Sequence, residues 1–287
     1  MYVFSASELY NHNNKLFFTF TQLKIEEIIK KHIPNIITLL NLLAGVIAVM
    51  LAVSDRLIEA ALFVLIGIFF DFFDGLAARL LNVSSELGKQ LDSLADMVTS
   101  GVVPGIVMYQ LFRKSLHKEW MDGLSCEIGN WVVFEETATT TLGVTKIHLL
   151  PFVGLLLTLA AAYRLANFNI DERQTTTFIG LPTPAMTLFV VSLPLILAYS
   201  DIVFIKDLLL NNYFLIIITI VFSVLMNAEI PLFSLKFKNF SFKNNAIEIF
   251  FVLMTIILII LLRIIAIPIV ILLYVLVSIL KNSLHKK

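Results

Sequence analysis

The chain has 287 residues, zero formal net charge, 59% hydrophobic residues and only 15% charged ones. Soluble domains carry roughly 25% charged residues, so a water-soluble globular protein is excluded, and without a basic excess nothing points to a nucleic-acid partner. Continuous apolar runs such as ALFVLIGIFF and FVLMTIILIILL differ from the alternating segments of about ten residues expected of a membrane barrel. Helices are then the only spanning structure that satisfies every backbone polar group in lipid.

The N-terminal segment, residues 1–32, reads as cytoplasmic. Its start, MYVFSASELYNHNNKLFF, lacks a basic region followed by an apolar core, so no cleavable signal is expected. Within LKIEEIIKKHIP, Ile25, Ile28, Ile29 and His32 share one helical face, which predicts an interfacial amphipathic helix. Pro34 suits the first turn of the helix that follows. Spans are expected at about 35–53, 57–80, 90–112, 148–168, 182–200, 213–229, 247–262 and 265–281. Residues 113–147 read as a long extracytoplasmic loop without chemistry of its own. Cys126, the single cysteine, has no partner for a disulfide or a thiolate metal site. The last apolar block, 247–280, would measure about 51 Å as one helix, against a hydrocarbon core of roughly 30 Å. Arg263 and Pro268 near its middle predict two shorter helices turning at Arg263, the alternative being one strongly tilted helix running into water.

Basic residues set the orientation. With the N-terminus inside, 14 of the 21 Lys and Arg fall in inside segments and 7 outside. Both termini are therefore expected in the cytoplasm, as are the loop ends of spans two and three.

Those loop ends carry DFFDGLAARLLNVSSELGKQLDSLAD, residues 71–96. Asp71, Asp74, Gly75 and Ala78 lie on one face of span two, and Gly88, Asp92 and Asp96 on one face of span three. A short connection makes the two helices antiparallel neighbours, so their carboxylates can face each other. Each aspartate at membrane depth costs about 2.5–3.5 kcal/mol on an insertion scale, and four cost on the order of 10 kcal/mol. Four clustered like charges repel unless a cation neutralises them, and hard oxygen donors suit Mg²⁺, Mn²⁺ or Ca²⁺. Gly75, Ala78 and Gly88 leave bare backbone against which a flat group can lie, and Arg79 offers fixed donors to a phosphate. Carboxylates, divalent metal and arginine together are the apparatus of phosphoryl transfer. Read singly, the acids also fit an ion pathway or helix–helix contacts, and the small residues fit close packing.

The pattern Asp71-x-x-Asp74-Gly75-x-x-Ala78-Arg79-x8-Gly88-x-x-x-Asp92-x-x-x-Asp96 resembles the signature of the CDP-alcohol phosphatidyltransferases at every fixed position. Matching eight such positions by chance is on the order of 10⁻⁹ per starting point at average residue frequencies. The resemblance implies an all-α polytopic transmembrane bundle with a six-helix core, usually homodimeric. It implies transfer of a phosphatidyl group from a CDP-linked lipid to an alcohol with release of CMP. It makes Asp71, Asp74 and Asp92 the main ligands of a two-ion Mg²⁺ or Mn²⁺ site. Asp96 becomes the base for the acceptor hydroxyl, also touching a metal. Gly75, Ala78, Arg79 and Gly88 become the CDP-binding residues.

Three further stretches, IPNIITLLN (33–41), LDSLADMVTSGVVP (91–104) and YRLANFN (163–169) followed by FIGLPTPA (178–185), resemble the membrane-embedded members that use serine. CDP-diacylglycerol and L-serine are then the expected substrates, with the site at the cytoplasmic face of a bacterial inner membrane. The resemblance assigns residues 33–235 to the enzyme domain. It leaves 236–287 as a cytoplasmic loop, a C-terminal hydrophobic hairpin and a basic tail. Arg164 and Asn167 are candidates for the acceptor pocket, although Arg164 equally fits a topology-setting arginine that reaches toward water. Asn35, Thr38 and Asn41 recur at helical spacing on span one; they either line the nucleotide pocket or hydrogen-bond between helices. Two rivals remain: a sister enzyme using glycerol 3-phosphate or inositol, and a divalent-cation transporter using the four acids.

Overall fold

In the computed structural model, the residues described are 30, 32–83, 85–117, 134–135, 146–147, 149–170, 178–232 and 246–285. The expected N-terminal amphipathic helix lies almost wholly outside them, as do Cys126 and most of the 113–147 loop. The described residues are overwhelmingly helical, as the apolar runs predict.

Helix α1 spans His32–Val53 and α2 spans Leu57–Leu80. The turn between them places Asp55 at φ 60, a left-handed conformation that aspartate tolerates better than most residues. Asp55 also accepts an ion-paired hydrogen bond from Lys114 Nζ at 2.6 Å, which ties this turn to a later helix. Helix α3 spans Glu86–Asp96, a wide π turn follows at Met97–Val102, and α4 continues over Val103–His117. Together they form one long apolar span, Glu86–Leu116. A 3₁₀ turn at Leu150–Leu155 leads into α5, Leu156–Ile170.

Helix α6, Thr183–Tyr199, is the centre of the bundle. It is apolar all round and packs against α2, α4 and the π turn, which is the pattern of a fully surrounded helix. Its 17 residues make about 26 Å, short for a span, and Phe189, Val190, Leu193 and Ile196 along it are buried. Next come α7, Val203–Leu209, and α8, Asn212–Asn227, bent by 63° relative to each other. The sequence reading placed α8 but not α7.

The last apolar stretch folds as α9, Ala246–Leu262, and α10, Ala266–His285. The rings of Phe251 and Tyr274 meet at a tilt of 53° with centroids 5.8 Å apart, although one continuous helix would separate them by about 35 Å. The two helices therefore form the expected hairpin, turning at Arg263, whose φ is 51. Helix α10 lies along α6.

Among the described residues, five stretches are long and apolar enough to cross a membrane, and the bent α7–α8 pair makes a sixth. The eight spans of the sequence reading each coincide with a helix, but α6 and the separate arms of the hairpin are not among the five or six. Among the described residues, two short antiparallel pairs add to the helices. Strand β1, Phe134–Glu135, pairs with β2, Lys146–Ile147, and β3, Phe178–Ile179, pairs with β4, Pro231–Leu232. Gly180 follows β3 at φ 74, and a Cβ there would collide with backbone carbonyls at the end of α8. Only glycine fits that crossing.

Candidate active site

Helices α2 and α3 meet at their loop ends, joined through residues 81–85. Asn82 makes the turn at φ 53, a conformation asparagine tolerates. Ser85 caps α3, its Oγ accepting from Gly88 N at 3.0 Å. This closes the loop tightly and brings the two acidic faces together. One carboxylate oxygen from each of Asp71, Asp74 and Asp92 lies within 4.8 Å of the others. Three hard anionic donors at that spacing can share one divalent cation.

Helix α1 contributes the polar groups that hold two of the acids. Thr38 Oγ1 donates to Asp74 Oδ2 at 2.5 Å and lies 3.0 Å from the Pro34 carbonyl. Asn41 Nδ2 donates to Asp96 Oδ1 at 3.5 Å. Asp96 stands one turn beyond Asp92, beside the trio and within hydrogen-bonding reach of Asp71 as well as of Asn41. The helical spacing of Asn35, Thr38 and Asn41 serves both purposes that it allows: Asn35 and Thr38 line a groove, while Thr38 and Asn41 bridge helices.

The groove runs beside the acids and measures about 590 Å³ including its open mouth. Asn35, Thr38, Gly75, Ala78 and Gly88 line it, together with Asp74 and Asp92. At Gly75 a Cβ would meet only the Arg79 Nη2, at 3.9 Å, so the backbone there is bare. At Gly88 a Cβ would come within 3.1 Å of both Asn35 Oδ1 and Ser85 Oγ, so any larger residue would press into the groove wall. Sequence reasoning missed four lining residues: Pro34, Val83, Ser85 and Lys89. Lys89 is exposed and pairs with Glu86 at 3.1 Å.

The remaining candidates divide. Arg79 is exposed, stands outside the groove lining, and is folded back with Nε donating to the Gly75 carbonyl at 2.9 Å. Arg164, on α5, is buried, its Nε has no hydrogen-bond partner, and it lies within electrostatic reach of Asp96. A buried guanidinium nitrogen without a partner is costly and fits a site for an anion. Asn167 is exposed near the end of α5. Its neighbour Asn169 instead makes the contact with α3, exchanging hydrogen bonds with Ser93 at 2.9 and 3.0 Å.

The π turn after Asp96 is the other feature missed. Its backbone carbonyls at Ser100 and Gly101 accept hydrogen bonds from Thr187 of α6 and Thr158 of α5, each at 2.9 Å. Widened helical turns of this kind are frequent at functional sites. The residues that stabilise it lie far along the chain, so no local pattern signals it.

Paired acidic helix ends beside a small-residue groove, within an all-helical membrane bundle, define the class: an integral membrane protein with a carboxylate centre open to a polar ligand. The sequence model of CDP-alcohol phosphatidyltransferase matches residues 31–226. The chain belongs to that family of transferases. The match covers α1 to α8, and the hairpin of α9 and α10 lies beyond it. A CDP-diacylglycerol–serine O-phosphatidyltransferase of Bacillus subtilis is 33% identical over 157 residues, which cover 53% of this chain and 70% of that protein. A protein of the same name from Helicobacter pylori is 28% identical over 160 residues, 55% of each chain. The archaetidylserine synthase of Methanothermobacter thermautotrophicus is 25% identical over 173 residues, 59% of this chain and 60% of that one.

Proposed function

We propose that this protein transfers the phosphatidyl group of CDP-diacylglycerol to the hydroxyl of L-serine, giving phosphatidylserine and CMP. The observation that carries the reading is the convergence of Asp71, Asp74 and Asp92 beside the groove floored by Gly75, Ala78 and Gly88. The relatives named for serine transfer supply the acceptor.

The groove receives the cytidine nucleotide, whose flat base lies against the bare backbone at Gly75, with Asn35 and Thr38 as polar contacts. Arg79, tethered through Nε, offers its remaining guanidinium N–H groups to a phosphate at the rim. Asp71, Asp74 and Asp92, with Asp96 beside them, would hold divalent metal, Mg²⁺ or Mn²⁺ and two ions by family pattern. When bound, the metal withdraws charge from the pyrophosphate and eases departure of CMP. In the reaction the serine oxygen forms a bond to the phosphorus of the diacylglyceryl phosphate. The bond from that phosphorus to the oxygen of CMP breaks. Asp96 takes the hydroxyl proton. Arg164 pairs with the serine carboxylate, with Asn167 at the edge of the pocket.

The basic-residue bias places this site at the cytoplasmic face, in keeping with a water-soluble acceptor and a bacterial inner membrane. Residues 33–235 form the enzyme domain, residues 1–32 a cytoplasmic segment with an amphipathic helix, and residues 236–287 a cytoplasmic loop, hydrophobic hairpin and basic tail; the enzyme works as a homodimer.

Purified protein supplied with CDP-diacylglycerol and Mg²⁺ or Mn²⁺ tests the acceptor directly. Labelled L-serine should enter lipid with matching release of CMP. Labelling from glycerol 3-phosphate or inositol, and none from serine, would overturn the acceptor while leaving the reaction class. Metal uptake by proteoliposomes without CMP formation would point to a transporter.

A further inference from the structure

We propose that Asn41 and Thr99 are positioning residues that hold the Asp96 carboxylate toward the acceptor hydroxyl, and that the π turn at Met97–Val102 is what sets Thr99 against Asn41. The inference rests on the reading of Asp96 as the proton acceptor.

Asn41 is fully buried. Thr99 Oγ1 lies 2.9 Å from Asn41 Oδ1 and 3.3 Å from the Asn41 carbonyl. The ionised Asp96 carboxylate can only accept, which assigns the amide oxygen of Asn41 to the Thr99 side, where the hydroxyl donates to it. The amide nitrogen then faces Asp96, to which it donates. Thr99 therefore anchors the oxygen end of Asn41 while the nitrogen end meets the carboxylate. The reversed amide would set its oxygen against the carboxylate, an arrangement with no shared proton.

Helix backbone packs closely against this pair. On α2, a Cβ at Gly67 would lie 2.9 Å from Asn41 Oδ1 and 2.7 Å from Thr99 Cγ2. On α1, a Cβ at Gly45 would collide with Thr99. Both glycines let the backbone of α1 and α2 close over the pair. The turn carrying Thr99 is fixed in turn by Thr187 on the Ser100 carbonyl and Thr158 on the Gly101 carbonyl. Helices α1, α5 and α6 thus all bear on the residue that follows Asp96 by three.

The chemistry suits the role. A neutral amide fixes the carboxylate's orientation through a directional hydrogen bond and adds no charge to the cluster. Misplacing a reacting group by about 1 Å can cost on the order of 100-fold in rate.

The test compares Asn41→Leu, Thr99→Val and Thr99→Ser with Asp96→Asn as reference. Each is measured for kcat, for KM of both substrates, for CDP-diacylglycerol binding in Mn²⁺ and for thermal midpoint. We expect Asn41→Leu and Thr99→Val to lower kcat by roughly 10- to 100-fold, with lipid KM, lipid binding and thermal midpoint close to wild type. Thr99→Ser, which keeps the hydroxyl, should restore most of the rate. If Asn41→Leu does not fold, the near-isosteric Thr99→Val and its serine counterpart decide. Wild-type kcat in Thr99→Val, or a rise in lipid KM matching the loss in kcat, would overturn the proposal. Normal turnover in Asp96→Asn would overturn the base assignment beneath it. An inactive Asp96→Asn beside wild-type rates in the other variants would remove this inference alone.

Discussion

The helices around the aspartates and the C-terminal hairpin sit in the same bundle but are joined in different ways. Around the acids, polar side chains reach from one helix to another: Thr38 to Asp74, Asn41 to Asp96, Thr99 to Asn41, Thr187 and Thr158 to the π turn. In the hairpin, Ser278 bonds back to the Tyr274 carbonyl of its own helix, and α10 is held through apolar residues such as Ala266, Ile271 and Val275. Close packing is enough to join helices in lipid. Charged groups at membrane depth need partners on neighbouring helices, and those partners restrict where each carboxylate can point. Substitutions in the first region should therefore change turnover, and substitutions in the second should change stability.

The largest effect should come from the acidic trio. Asp92→Asn is expected to lower turnover by at least about 100-fold and to weaken Mn²⁺ binding measured directly on the purified protein, because it removes one anionic ligand of three. Retention of both rate and metal affinity would break the comparison at its stronger end. A smaller effect is expected at Ile271, buried on α10. Ile271→Ala should cost about 2–5 kcal/mol of stability, read as a lower thermal midpoint in detergent, with kcat unchanged. A loss of kcat without loss of stability would show that the hairpin serves the site. The smallest effect belongs to Arg263, a non-glycine residue at φ 51. Arg263→Gly should relieve roughly 1 kcal/mol of backbone strain, raising the thermal midpoint slightly and leaving turnover alone.

The two regions also differ in how much of them could be read from sequence. The acidic faces were legible because spacings of three and four place residues together on a helix whatever surrounds it. The hairpin was legible from length: its apolar block exceeds one bilayer crossing, and Arg263 marks the break. Most of what escaped depends on partners distant in sequence. The π turn is stabilised by Thr158 and Thr187, so MVTSGV alone looks like ordinary helix. Helix α7 is only seven residues long, too short for a periodic signal. Spacing placed Thr38 and Asn41 on one face of α1 but did not say that the face meets Asp74 and Asp96. Asn167 and Asn169 are equivalent by composition, and only the packing of α5 against the α3 span brings the second to Ser93. Arg79 was read as a phosphate ligand from its type; its tether to the Gly75 carbonyl follows from local geometry that motif matching does not resolve.

The division of labour among the four aspartates is the central claim, and Asp96→Asn tests it most directly. CDP-diacylglycerol binding in the presence of Mn²⁺ and serine-dependent CMP release should be measured on the same preparation. The account predicts binding within a few-fold of wild type and turnover reduced by about 100- to 10,000-fold, the range a general base supplies. Near-normal turnover, or loss of lipid binding in step with turnover, would contradict it.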